Sequence, residues 1–557
     1  MSAAFPPSSA HRAGVTGVML AASIAMAAGC TTKAEMSPYF GRAEPPKGQV
    51  MRYISGSEPE SLDPHLSSGQ PEARLYVALY DGLTEYHPET GEAIPSLAER
   101  WEPNKDNSEF TFHLREAKWS NGDPITAQDF VYSLRRGLSP LVAARSAYLA
   151  YYIEGAQAFN EGKGKAEDIG VIAVDDRTLR FKLTQSVPFF PGLVAHQFYR
   201  PVPRGAIEKY GQAWTQPINI VTSGAFKLHT WKPYNRLVLV RNPNFWDAAS
   251  VKLDQITFYP IEDATTMMNL YKAGEVDALY NHIPPAAWID YLRATKDHMD
   301  KPEAAIDYYQ INTTRAPMND RRVRKAFNMA IDKVGLAAYQ RTIKPLTAFT
   351  PEGIFPGYTQ PVGDPYDVTR ARQLLAEAGY RDASGSYAPS LFPIADVELT
   401  YNTTERNRQI AEFVQAQWKQ NLGLTVPLKN MEWKTYLDHR AKLQYKGFAR
   451  SGWVGDYIDP NTFLELFASR TGDNGTGWYD QKYVDTLRAA NQETDQAKRY
   501  ALLARAEKML LDVQAVVPLA TSSTNWMKKP YVKGMYPNPI TIHAWKFVYI
   551  EHDPAKW

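Results

Sequence analysis

Apolar and polar residues alternate in short stretches through the first half of the chain. Phe110, Phe112 and Leu114 share one face, as do Leu179, Phe181 and Leu183, and then Leu237 and Leu239 with Arg241. A period of two is that of half-buried strands. Farther along, the period lengthens. Ala371, Leu374, Leu375 and Ala378 fall on one side of a helix that Asp367 can cap and Gly379 can stop; Ile410, Phe413, Val414 and Trp418 do the same between Thr404 and Gly423. Between the two, Val397-Glu-Leu-Thr-Tyr401 alternates as a strand. Residues 307–522 thus read as strand and helix in turn, which predicts a mostly parallel, helix-covered sheet. The first third carries more strand and more turn chemistry, such as Asn121-Gly122-Asp123-Pro124. The pattern predicts a mixed α/β protein of at least two lobes, as its 557 residues also require.

The N-terminal pattern is different. His11 and Arg12 precede an apolar run, Ala13 to Ala28, that is too short and too rich in Ala and Gly for a membrane span and reads as a secretory signal over residues 1–29. It ends Met26-Ala27-Ala28-Gly29-Cys30, and Cys30 is the only cysteine. This resembles a bacterial lipobox, whose Cys is lipidated and becomes the first mature residue, although Ala27 stands where Leu is usual. Periplasm or cell surface is the expected location. Residues 30–47, broken by Pro38, Pro45 and Pro46, read as a tether between lipid and fold. With one cysteine no disulfide can form within the chain, so the fold must rest on its cores.

Charge and composition narrow the function by exclusion. Lys plus Arg is 62 against 60 for Asp plus Glu, so no concentrated basic face for nucleic acid is implied. The 11 His are scattered, none within four residues of another, and no helix face presents a zinc pair. There is no Gly-x-Ser-x-Gly elbow, and Gly162-Lys163-Gly164-Lys165 lacks the spacing of a phosphate loop. Neither catalysis, metal nor cofactor is expected. The 33 Tyr and 13 Trp suit a binding surface, because each joins apolar area to a polar tip.

Three passages carry a resemblance to a known family. They are Gly56-Ser-Glu-Pro-Glu-Ser-Leu-Asp-Pro-His65; Phe110-Thr-Phe-His-Leu-Arg115 through Trp119-Ser-Asn-Gly-Asp-Pro124 and Asp129-Phe-Val-Tyr132; and Ala449-Arg450-Ser-Gly-Trp453-Val-Gly-Asp456-Tyr457. Together they resemble the peptide-binding family of extracytoplasmic solute-binding proteins, notably the bacterial oligopeptide-binding proteins that serve ABC importers. The resemblance implies a two-lobed periplasmic-binding-protein fold of the type II, three-domain class, hinged at two crossings. It divides the chain into a first lobe core (48–81, 206–305 and 523–557), an extra domain of that lobe (82–205) and a second lobe (306–522). It also implies a monomer that binds short peptides and docks on permease and ATPase subunits. Another solute on the same fold, such as a murein peptide, haem, a nickel chelate or an oligosaccharide, is the alternative.

A receptor for many peptides needs partners for what all peptides share: an ammonium, a carboxylate and a backbone. Asp456, after a strand expected over Gly447 to Ser451, suits the ammonium, or else it caps a turn before Asp459-Pro460. Arg450 suits the carboxylate, or a salt bridge within its lobe. Asn407, in the first turn of the helix from Thr404, can donate a hydrogen bond but carries no charge where relatives commonly have His. Ser68 and Gln310 stand where relatives carry acids, which predicts less tolerance of cationic side chains. Trp433 and Trp453 are pocket walls or core. Tyr308 and Tyr309 extend a peptide as an added strand through their backbone, or pack the hinge. Gly452, Val454, Gln70, Arg440 and Arg341 complete the candidates.

Overall fold

The computed structural model describes residues 38–557 apart from 68–69, 145, 280–283 and 471–472. The expected signal segment, Cys30 and Ser68 lie outside the described residues. Three sheets organise the rest. A seven-stranded sheet is ordered His298–Met299, Trp526–Lys528, Ala278–Leu279, Val50–Ile54, Gln255–Tyr259, Arg236–Arg241, Phe226–Lys232. A four-stranded antiparallel sheet joins Ala98–Pro103, Glu109–Leu114, Thr178–Lys182 and Val171–Asp175. Its core is aromatic, with Phe110, Phe112, Phe181 and Phe190 in mutual edge and tilted contact. The third sheet has six strands in the order Ile343–Pro345, Val516–Ser523, Pro302–Ile311, Gly447–Val454, Glu398–Asn402, Leu428–Met431.

The chain passes between the seven-stranded and six-stranded sheets twice, at residues 300–301 and again at 524–525. The two passes are hydrogen-bonded to each other: the Thr524 amide donates to the Lys301 carbonyl at 2.7 Å, and the Lys301 amide to Thr524 Oγ1 at 2.7 Å. One pass goes out and the other returns. The strands that flank them therefore run antiparallel, Pro302–Ile311 against Val516–Ser523 and His298–Met299 against Trp526–Lys528. This corrects the expectation of a mostly parallel second-lobe sheet. Among the described residues of the six-stranded sheet, only Glu398–Asn402 pairs in parallel, with Gly447–Val454 on one side and Leu428–Met431 on the other.

Local signals are realised where the expected caps fall. Asp367 Oδ1 accepts from the Arg370 amide at 2.8 Å at the start of helix Val368–Glu377, and Thr404 Oγ1 from the Asn407 amide at 3.1 Å at the start of helix Glu405–Leu422. The second helix ends at Gly423, whose φ of 70° suits a residue without Cβ. The segment read as a tether to residue 47 is held earlier, at Phe40. That ring is buried against Tyr271, Trp288 and Tyr291, and the Phe40 amide donates to Asp297.

Trp418 ties helix Glu405–Leu422 to the sheet: it is 0% exposed, stands 4.7 Å from the Phe448 ring, and donates its indole N–H to the Phe327 carbonyl at 3.0 Å. Trp418→Ala is expected to cost about 3 to 5 kcal/mol of stability, measured from the urea midpoint; a loss below about 1 kcal/mol would show that this helix does not depend on that anchor.

Candidate functional site

Strand Gly447–Val454 is the spine of the site. Gly447 opens it at a φ of 92°, where an added Cβ would stand 2.9 Å from Val397 Cγ1. One edge pairs with Pro302–Ile311 from Phe448↔Ile311 to Val454↔Ala305. The other edge pairs with Glu398–Asn402 only at Gly447, Phe448 and Ala449, so among the described residues 450–454 have no strand on that side. The Gly455 amide donates to the Ala304 carbonyl at 2.7 Å. Strand groups alternate in direction, so the amides and carbonyls of Gly452 and Val454 face the open edge.

This geometry relocates the expected main-chain contact. Tyr308 and Tyr309 lie in a strand flanked on both sides, opposite Ser451 and Pro518 and opposite Arg450 and Val517, so their backbone cannot accept a further strand. Their rings are buried in the second lobe. The next strand, Gly447–Val454, owns the open edge.

Asp456 stands just past that edge, half-buried. Its amide donates to Thr462 Oγ1 at 3.1 Å, and its Oδ2 accepts from the Tyr148 hydroxyl at 3.2 Å. No lysine or arginine among the described residues pairs with it. Burial, reinforced by the neighbouring Glu465 and opposed by the Tyr148 hydroxyl, pushes its carboxyl up to about 7. Glu465 is likewise pushed up to about 7 by burial, although Tyr152, Tyr457 and Asn461 all donate to it. Behind Asp456, Tyr457 stacks on Phe189 with ring centres 4.4 Å apart, which joins it to the core of the four-stranded sheet.

The cations are committed elsewhere. Arg450 Nη2 reaches Asp307 Oδ1 at 2.9 Å, and Arg406 Nη2 reaches Asp307 Oδ2 at 2.5 Å. Burial alone would raise the Asp307 carboxyl; the two guanidiniums outweigh it and hold it at about 2. Arg440 donates to Ser451 Oγ at 3.0 Å and pairs with Asp473 at 3.1 Å. Gln310 is buried and donates to the Asp473 carbonyl at 2.9 Å, while its Oε1 meets no partner. Asn407 turns its carboxamide back onto Asn402 at 2.9 Å. Arg341 pairs with Asp290 at 2.7 Å. Trp453 is half-buried and lines a cavity with Tyr148 and Glu465. The side chains of Gln70 and Trp433 lie outside the described residues.

Four participants escape a reading of sequence. Tyr148 is 308 residues from Asp456 and carries no local sign of its role. Glu465 looks like an ordinary helix acid. Asp307 and Arg406 had a faint signal: an acid inside the apolar run Ala304 to Tyr309 calls for buried cations, and Arg406 is next to the singled-out Asn407.

Comparison with known proteins places this geometry. Residues 92–475 match the family model of the bacterial extracellular solute-binding proteins, family 5. The chain is 37% identical over 549 residues to the periplasmic oligopeptide-binding protein OppA of Salmonella typhimurium, covering 94% of each. It superposes on the murein tripeptide-binding protein MppA of Escherichia coli with a TM-score of 0.77, at 33% identity, covering 91% of this chain and 99% of that one. It superposes on Haemophilus influenzae OppA in complex with the peptide RPPGFSPFR with a TM-score of 0.76, at 32% identity, covering 91% of this chain and all of that one. The fold is thus the two-lobed binding-protein fold of these neighbours.

The raised carboxyls have a consequence for stability. Between the ordinary carboxylate range and about 7, the folded chain holds protons that the unfolded chain releases. Their contribution to stability is therefore full below about pH 4 and is lost as pH rises through about 7. Asp456→Asn removes one such group. It is expected to raise the melting temperature of the ligand-free protein by about 1 to 3 °C at pH 8 and to leave it nearly unchanged at pH 5. An equal shift at both pH values by scanning calorimetry would show that Asp456 is not held protonated by its surroundings.

Proposed function

We propose that this chain, which belongs to the bacterial extracellular solute-binding proteins of family 5, captures short peptides outside the cytoplasmic membrane and delivers them to an ABC importer. The observation that carries this reading is a carboxylate with no cation of its own among the described residues, at the end of an open strand edge. An ammonium is the group such a carboxylate lacks, and an extended main chain is what an open edge lacks. A free peptide offers both, whatever its sequence. The family is one of solute-binding proteins rather than enzymes, and relatives are named for oligopeptide binding. No covalent step is assigned to this chain.

The charges favour one direction for the guest. Asp307 sits opposite Gly452, so the Arg450 and Arg406 guanidiniums gather near that level with a net positive charge of one over their shared acid. Asp456 lies four residues farther, about 13 Å along an extended strand. A short peptide with its amine at Asp456 and its carboxylate toward Arg450 would run antiparallel to Gly447–Val454. Its main chain would meet Gly452 and Val454, with the other candidates at the margins. Closure of the lobes about 300–301 and 524–525 would bury the guest and form the surface that permease and ATPase subunits recognise. Lipidation at Cys30 would keep a monomeric receptor at the membrane.

Calorimetry on the mature protein tests this. A free tripeptide is expected to bind, and Asp456→Ala to cost about 2 to 5 kcal/mol, because a buried ammonium then lacks its partner. N-acetylation of the same tripeptide is expected to cost a comparable amount. Equal affinity for the acetylated peptide would refute the role given to Asp456.

A further inference from the structure

Phe40 is held in place by the segments that carry the hinge. Its amide donates to both oxygens of Asp297 at 3.1 Å, and its carbonyl accepts from Lys529 Nζ at 2.9 Å. Asp297 comes just before the outgoing crossing at 300–301, and Lys529 just after the returning one at 524–525. Tyr271 closes the ring of contacts: its hydroxyl donates to Asp297 Oδ2 at 2.9 Å, and its face lies 3.7 Å from Lys529 Nζ. The Phe40 side chain is 3% exposed, with Trp288 and Tyr291 edge-on to it at ring-centre distances of 5.4 and 5.7 Å. Trp288 and Tyr291 belong to helix Ala286–Leu292, which lies between two strands of the seven-stranded sheet. From the same helix Asp290 pairs with Arg341 at 2.7 Å, and Arg293 at its end donates to the Arg341 carbonyl. Arg341 ends helix Lys333–Gln340 and leads into Ile343–Pro345 of the six-stranded sheet. One helix of the first lobe therefore touches Phe40 and also reaches the second lobe.

We propose that Phe40 is a strap on the hinge: seated in the first lobe, it holds helix Ala286–Leu292 where Asp290 and Arg293 clasp Arg341, and so favours the closed receptor. This rests on the peptide-capture reading above for its probe, and goes beyond it by giving the end of the expected tether a part in binding. A helix of seven residues does not hold itself and takes its position from what it packs on. Here that is Ile289 and Leu292, both 0% exposed, on the core side, and Trp288 and Tyr291 on Phe40. The clasp is a surface feature, with the Asp290 and Arg341 side chains 69% and 41% exposed, so it contributes little unless its groups are already in place. A displaced helix loses both bonds to Arg341 together. Because the clasp joins the lobes, its contribution belongs to the closed form and enters peptide affinity through the population of that form. The bonds from Phe40 to Asp297 and Lys529 also tie the first-lobe ends of both crossings, which leaves the turning to 300–301 and 524–525.

The test is calorimetry with trialanine on the mature protein and on its Phe40→Leu, Asp290→Ala and doubly substituted forms. Each single substitution is expected to weaken binding about threefold to tenfold. The double variant is expected to bind within about twofold of the weaker single one, because both act through the same clasp. Phe40→Leu keeps an apolar plug; should it not fold, Tyr291→Ala removes the contact from the exposed side of the helix and takes its place, with the same expectation. If the folded variant binds trialanine as tightly as the unsubstituted protein, or if the two losses multiply, the strap is overturned and peptide capture stands. If trialanine does not bind the unsubstituted protein, the capture reading fails, and hydrogen exchange decides on the strap. Phe40→Leu is then expected to speed exchange at residues 341–345, in the other lobe, and an unchanged rate there overturns it.

Discussion

A carboxylate taken out of water without a cation is expensive, and the site is built around two of them. Glu303, also pushed up to about 7 by burial, shares that cost, but several other buried acids are matched. Asp459 is held by both terminal nitrogens of Arg499, Glu85 by Arg200, Asp63 by Arg136, and Asp307 by two arginines at once. Glu507 has no cation but accepts two backbone amides and the hydroxyls of Thr350 and Tyr358. Asp456 receives one hydroxyl. Among the described residues no cation pairs with Asp456 or Glu465, and Asp456 lies where the main chain of the neighbouring strand is also unpaired on one side.

That coincidence follows from the path of the chain. Because the outgoing and returning crossings bond to each other, Pro302–Ile311 and Val516–Ser523 must be neighbours and antiparallel. Gly447–Val454 is then added on the remaining side of Pro302–Ile311, and Glu398–Asn402 stops short along it. The open edge is what remains of a sheet whose centre is fixed by the hinge. A movement at the crossings would reach the strand that borders the site through one ladder of backbone hydrogen bonds, that between Pro302–Ile311 and Gly447–Val454.

Legibility in the sequence divides along the same line. Helix caps at Asp367 and Thr404, the stop at Gly423 and the alternating strands around Phe112 and Phe181 were readable because each depends on residues a few positions apart. Asp456 and Trp453 were readable through a resemblance, and the strand before them through its pattern. Which strand has a free edge was not readable, since it depends on pairing across more than a hundred residues. Tyr308 and Tyr309 are the clear case: their segment is a strand as expected, but its position between two partners is a property of the whole sheet. The same holds for Arg450, whose partner Asp307 is 143 residues away.

The balance of charge in the cleft shows why such non-local facts matter for specificity. Uncharged Gln310 and Ser68, where relatives carry acids, suggested from sequence a cleft less welcoming to cations. Gln310 proves to be a buried strut under the Asp473 loop. Acids are instead gathered at Glu465 and Asp473, which line the cavity that Tyr148 shares with Asp456, and at Asp456 itself. Substituting an acid at one position does not change what a cleft prefers if another acid faces the same volume, because Coulomb interaction depends on distance and burial rather than on alignment column. A cation brought beside these acids would lower both raised carboxyls toward their ordinary range, so that part of the cost of burying them is relieved on binding.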